Sequence, residues 1–81
     1  MATSKDDIRR MLSHAAERHT HMIVVCDTFD FEDYPVFVEP EEDIKERVAY
    51  ISNRSMQRVM EVYDLRKPLE PQLEAPRAWN L

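Results

Sequence analysis

The chain has no glycine among its 81 residues, a single cysteine and no long apolar run, and each absence narrows what it can be. Without glycine, tight two-residue hairpin turns that need positive φ are disfavoured, and phosphate-cradling loops of the usual kind cannot form. With Cys26 alone, neither an intramolecular disulfide nor a cysteine-rich zinc site is available. No apolar stretch approaches the roughly 20 residues needed to cross a bilayer, and MATSKDDIRR at the start has no apolar segment behind a basic one. Neither membrane spanning nor a secretory leader is expected, and the expected setting is the cytoplasm.

What is present suits a folded protein: hydrophobic residues make up 43% and charged residues 33% of the chain. So short a chain sits near the lower limit at which one hydrophobic core outweighs the entropy of folding, which leaves room for help from a second copy. Charge is unevenly spread. From Asp27 to Glu46 nine acidic residues face one base, Lys45, for a net charge of −8, while the rest of the chain is +3. A nucleic-acid reader would concentrate Lys and Arg where it meets phosphate, so no direct nucleic-acid contact is expected. The acidic middle points instead to a basic partner or a cation.

The pattern predicts an α+β fold in one small domain, ordered helix, strand, strand, helix, strand, with an antiparallel sheet. Residues 4–18 read as an amphipathic helix, with Ile8, Met11, Leu12 and Ala15 on one stripe, Ser4 as cap, and Asp6 and Asp7 at the positive end of the dipole. HMIVVCDTF (21–29) and PVFVE (35–39) read as strands, joined by a wide link through Asp30–Asp33 whose Asp side chains bond nearby amides. Pro40 and the acids after it read as a helix start, with Ile44, Val48 and Ile51 as its buried stripe. MQRVMEVYDL (56–65) fits two periods: a strand, the preferred reading because two strands alone are marginal in water, or a helix with Met56, Val59, Met60 and Tyr63 on one stripe. The domain is placed at 1–67. The prolines at 68, 71 and 76 argue against regular structure in 68–81, an extended tail able to dock Leu69, Leu73 and Trp79.

Candidate chemistry is thin. Asp27, Asp30, Glu32 and Asp33 offer oxygen ligands for a divalent ion, but without the glycine and the distal glutamate of a calcium loop. His19 and His21 stand two apart, so on a strand both would face one side, with His14 or Asp27 as a third zinc ligand. Cys26 beside these histidines has the parts of a nucleophile and base, yet it ends a buried-type run where cysteine serves as a small hydrophobe. No metal or other cofactor is expected, and the balance favours binding over catalysis.

The mixture of Phe29, Phe31, Tyr34 and Phe37 with carboxylates is better suited to a contact surface, since aromatic anchors ringed by charge carry most of the energy in many interfaces. The expected partner-binding residues are Asp27, Asp30, Phe31, Glu32, Asp33, Tyr34, Glu41 and Glu42. Two stretches, MIVVCDTFDFEDYPVFV and SMQRVMEVYDL, together resemble a pattern of small bacteriophage and prophage proteins of uncharacterised function, over roughly residues 20–65. That resemblance carries no site residues. It implies a setting in which short acidic proteins bind and block a host protein. The resulting expectation is an acidic protein-binding module, a phage-type inhibitor that presents carboxylates to a basic, nucleic-acid-binding surface of a host protein. The alternatives are a divalent-metal-dependent hydrolase using Asp27, Asp30, Asp33 and His21, and a structural homo-oligomer.

Overall fold

The structure is a computed structural model describing residues 4–81. The first three residues of the start read for a leader lie outside the described residues. The elements run α1 (Lys5–Leu12), β1 (His21–Asp27), β2 (Glu32–Val38), α2 (Ile44–Ser52), β3 (Gln57–Asp64) and α3 (Leu69–Glu74). The first five follow the expected order, and α3 is an addition. The sheet is antiparallel with order β2-β1-β3.

β1 is central, and its residues from His21 to Cys26 are all buried, which explains the unbroken apolar run. One face packs Ile23, Val25, Val59 and Val62 against Val48 and Ile51 of α2. The other packs Met22, Val24 and Tyr63 against Ile8 of α1, Leu73 of α3 and Ala78. The sheet is therefore the middle of three layers, and each buried aliphatic side chain contributes about 1.5–3 kcal/mol relative to exposure.

Several boundaries differ from the sequence reading, each for a local reason. α1 is capped by Ser4 Oγ, which accepts the Asp7 N–H at 3.2 Å, but it stops at Leu12 rather than continuing to Arg18. There the Ser13 hydroxyl donates to the Arg10 carbonyl, and His19 Nδ1 accepts the Ala16 N–H at 2.9 Å, drawing the chain into turns. β1 ends at Asp27 rather than Phe29, because Asp27 Oδ1 accepts the Phe29 N–H at 2.8 Å and its carbonyl accepts the Phe31 N–H at 2.7 Å. The link shrinks to Thr28–Phe31, and β2 begins at Glu32, three residues before the expected start. Asp30 Oδ1 accepts the Glu32 N–H at 3.3 Å, so both hairpin aspartates bond amides as the sequence suggested. α2 starts after Asp43, whose carboxylate takes the Lys45 and Glu46 amides at 2.8 and 3.4 Å, leaving Pro40–Glu42 as a turn before it.

Residues 68–81 are not an extended tail. Pro71 stands at the third position of α3, where the N–H it lacks would have no partner within the helix. Buried Gln72 then acts as a strand partner: Oε1 accepts the Asp64 N–H at 2.7 Å, while Nε2 donates to the carbonyls of Asp64 and Pro68, both at 2.9 Å. Further on, the Val62 N–H donates to the Ala78 carbonyl at 2.8 Å and the Asn80 N–H donates to the Val62 carbonyl at 3.1 Å, a parallel bridge centred on Trp79. Arg77 donates to the Met60 and Val59 carbonyls at 2.8 and 3.2 Å. The β3 edge is thus closed by the chain's own end, and the β2 edge carries Pro35, which blunts pairing with another strand. Among the described residues no helix is long and apolar enough to cross a membrane.

Candidate protein-binding surface

The register places the β1–β2 hairpin and the turn before β3 side by side. Asp27 stands opposite both Glu32 and Gln57, and the Thr28 N–H donates to the Met56 carbonyl at 3.0 Å. Three large apolar side chains meet solvent at this end: Phe29 at 75% exposure, Phe31 at 61% and Met56 at 51%. Single exposed apolar residues are ordinary, and it is their grouping at one end of the molecule that suits a contact site.

Backbone geometry sharpens the point. Phe31 has φ of 59° and Met56 has φ of 64°, both in the left-handed region. A residue with a Cβ bears about 1 kcal/mol there, a cost glycine would avoid. Yet both positions hold large apolar side chains in solvent, which do nothing for the core. Strain of this sort gathers at functional segments.

Around the three apolar groups stand Asp27, Asp30 and Glu32. None of them forms an ion pair among the described residues. Asp27 and Asp30 hold the hairpin through their amide bonds, and Glu32 is exposed at the first position of β2.

Of the eight residues expected to bind a partner, four meet here: Asp27, Asp30, Phe31 and Glu32. The other four do not. Tyr34 is half-buried against the α2-side core, and its hydroxyl accepts from Gln57 Nε2 at 2.6 Å, so it is a packing residue rather than an exposed anchor. Asp33 points to the opposite face, because neighbouring strand residues alternate. Glu41 and Glu42 follow β2 at its far end, roughly 20 Å from Glu32 by strand rise. There Glu42 pairs with Arg47 at 3.2 Å. Glu39 beside it pairs with Arg18 at 2.8 Å and His19 at 2.9 Å, and the Arg18 contact holds its carboxyl below the usual range.

Met56 and Phe29 are the residues the expected set lacked. Phe29 was legible as part of the aromatic mixture. Met56 was not, since its position depends on a strand pairing distant in sequence.

The histidines do not converge. His19 stacks on Phe37 with ring centroids 5.1 Å apart. His21 is buried, with Nδ1 at 2.9 Å from Thr20 Oγ1 and Nε2 at 3.8 Å from Asp64 Oδ2. Burial lowers the His21 pKa below the ordinary 6.5. His21 and Asp27, both invoked for a metal, occupy opposite ends of β1, roughly 20 Å apart. Among the described residues no group of three or more His, Cys, Asp or Glu is arranged to hold a metal ion. Burial pushes the Cys26 thiol pKa up, which makes it a poor nucleophile. Set against family models, curated proteins and solved structures, the chain matches none of them.

Proposed function

We propose that the protein acts by binding another protein through its hairpin end, with Phe29, Phe31 and Met56 as apolar anchors and Asp27, Asp30 and Glu32 as an acidic rim. The observation that carries this reading is the exposure of three large apolar side chains together, two of them on left-handed backbone. The partner it fits is a basic surface with an apolar depression, such as the nucleic-acid groove of a host protein in the cytoplasm, where the carboxylates take the place of phosphates. That is the inhibitor role implied by the resemblance to phage-type proteins. Self-association through this end is disfavoured, because a two-fold contact would set the same unpaired acids against each other.

The test is charge reversal at Asp30 and Glu32, followed by binding to the partner isolated with the wild-type protein. Binding by the wild type should weaken as salt rises, and the D30K/E32K variant should bind at least about tenfold more weakly at low salt with an unchanged circular dichroism spectrum. Equal affinity for the variant at every salt concentration rejects the acidic rim.

A further inference from the structure

On the face opposite α2, a groove of about 480 Å³ is lined by Val24, Asp33, Arg58, Met60, Glu61 and Arg77, together with Val59 and Pro76. Its volume lies in the range of small-molecule sites. It is bounded by the sheet and the C-terminal segment, on the other side of the sheet from Tyr34, and it is independent of the hairpin-end reading.

The four charged groups of the groove divide into two kinds. Arg77 and Glu61 are already engaged: Arg77 holds two β3 carbonyls and lies 4.3 Å from the Trp79 ring, while Glu61 accepts from the Tyr63 hydroxyl at 2.6 Å and the Ala78 N–H at 3.4 Å. Asp33 and Arg58 form no ion pair among the described residues, although the Asp33 carboxylate takes a hydrogen bond from the Cys26 thiol between them. Both stand opposite Cys26, one on each flanking strand, so their Cα atoms are about 10 Å apart on one face. Asp33 Oδ1 is also shut off from solvent without a hydrogen-bond partner, a state that buried acceptors rarely keep.

An anion and a cation that lack ion-pair partners among the described residues, flanking the central strand on one face, select the ligand. A phosphate would find, among the described residues of the groove, one cation without an ion-pair partner, and would meet the Asp33 carboxylate. A basic side chain would meet Arg58. A zwitterion satisfies both, and Met60 and Pro76 offer apolar wall to a hydrocarbon side chain. We infer that this groove binds a small zwitterion with an apolar side chain, of the α-amino acid class, with its ammonium on Asp33 and its carboxylate on Arg58.

The experiment is a titration of the full chain, followed by amide chemical shifts, with leucine, N-acetyl-leucine and leucinamide as probes. Leucine should give saturable shifts confined to Cys26, Asp33, Arg58, Met60 and Glu61, and blocking either end should weaken binding about tenfold or more, since each block removes a charge-assisted contact. The exposed R58Q variant should lose the response while melting at the wild-type temperature, and D33N should lose it also. Absence of shifts with leucine overturns the inference, as does an equal response to either blocked analogue. Leucine binding retained in R58Q overturns it even if D33N fails to fold. None of these outcomes depends on Phe29 or Phe31, so failure here leaves the hairpin-end proposal standing.

Discussion

The two ends of the sheet are built from similar residues and use them in opposite ways. At the end where β1 begins, charged groups hold the fold: Glu39 ties Arg18 and His19, Asp64 accepts the Arg66 amide at 2.9 Å and its guanidinium at 3.1 Å, and Gln72 closes the end of β3. At the hairpin end Asp27, Asp30 and Glu32 have no ion-pair partner among the described residues, the apolar side chains face water, and two residues sit on left-handed backbone. The first end turns its charged groups on one another, leaving buried His21 Nε2 as the ring atom without a hydrogen bond there. The other holds its own out to solvent, which is where a partner would gain by contact.

The comparison can be broken most sharply at Gln72. Replacing it with Ala strips hydrogen bonds from the buried N–H and C=O of Asp64, and should cost about 2–4 kcal/mol in equilibrium denaturant unfolding. A change within experimental error would show that the first end is not held by its polar network.

Acid provides the next test. His21 is buried, and its folded pKa lies below the unfolded value near 6.5, so the unfolded chain binds the extra proton first as pH falls. Its contribution to stability is full above that unfolded value and declines as pH drops through it towards the folded one. Asp64 adds a second loss at lower pH: burial acts to raise its pKa, but the Arg66 hydrogen bonds outweigh that and hold it below 3.8. Unfolding free energy should therefore fall between pH 7 and pH 5, and the His21→Gln variant should show a flatter profile over that window. An equally steep profile in the variant would assign the acid sensitivity elsewhere.

The smallest effect is expected at the hairpin end. Met56→Gly relieves left-handed strain but adds backbone entropy to the unfolded chain, and should shift stability by no more than about 0.5 kcal/mol, in the stabilising direction. A large loss would mean that the Met56 side chain supports the fold rather than facing a partner.

Much of the fold was legible because α1, α2 and the β1 run obey simple periodicity and capping. β3 was ambiguous for a reason the structure makes plain. Its register shifts between Val24 and Val25, so Val25 opposes Val59 while Val24 opposes Glu61, and Met60 is the extra residue. The bulge puts Val59 and Val62 on one face, with Met60 and Tyr63 on the other. Residues three apart on a common face imitate a helical period, which is why 56–65 fitted both readings.

The C-terminal segment was misread because prolines were weighed by number rather than position. Pro71 in the first turn costs α3 little, and the segment's pairing with β3 depends on partners 8–18 residues away. In the candidate surface, composition revealed the acids and aromatics but not their distribution. A strand turns Asp33 away from Glu32, and the length of β2 separates Glu41 and Glu42 from the hairpin. No local pattern encodes the meeting of Met56 with Thr28.

The most direct test of the account is the affinity of a Phe29→Ala/Phe31→Ala variant for the isolated partner, measured together with its melting temperature. The account predicts a loss of at least about 2 kcal/mol in binding, typical of interface anchors, with melting essentially unchanged. Wild-type affinity in a variant that folds normally would contradict it, and the exposed hairpin would then be no more than the turn that joins β1 to β2.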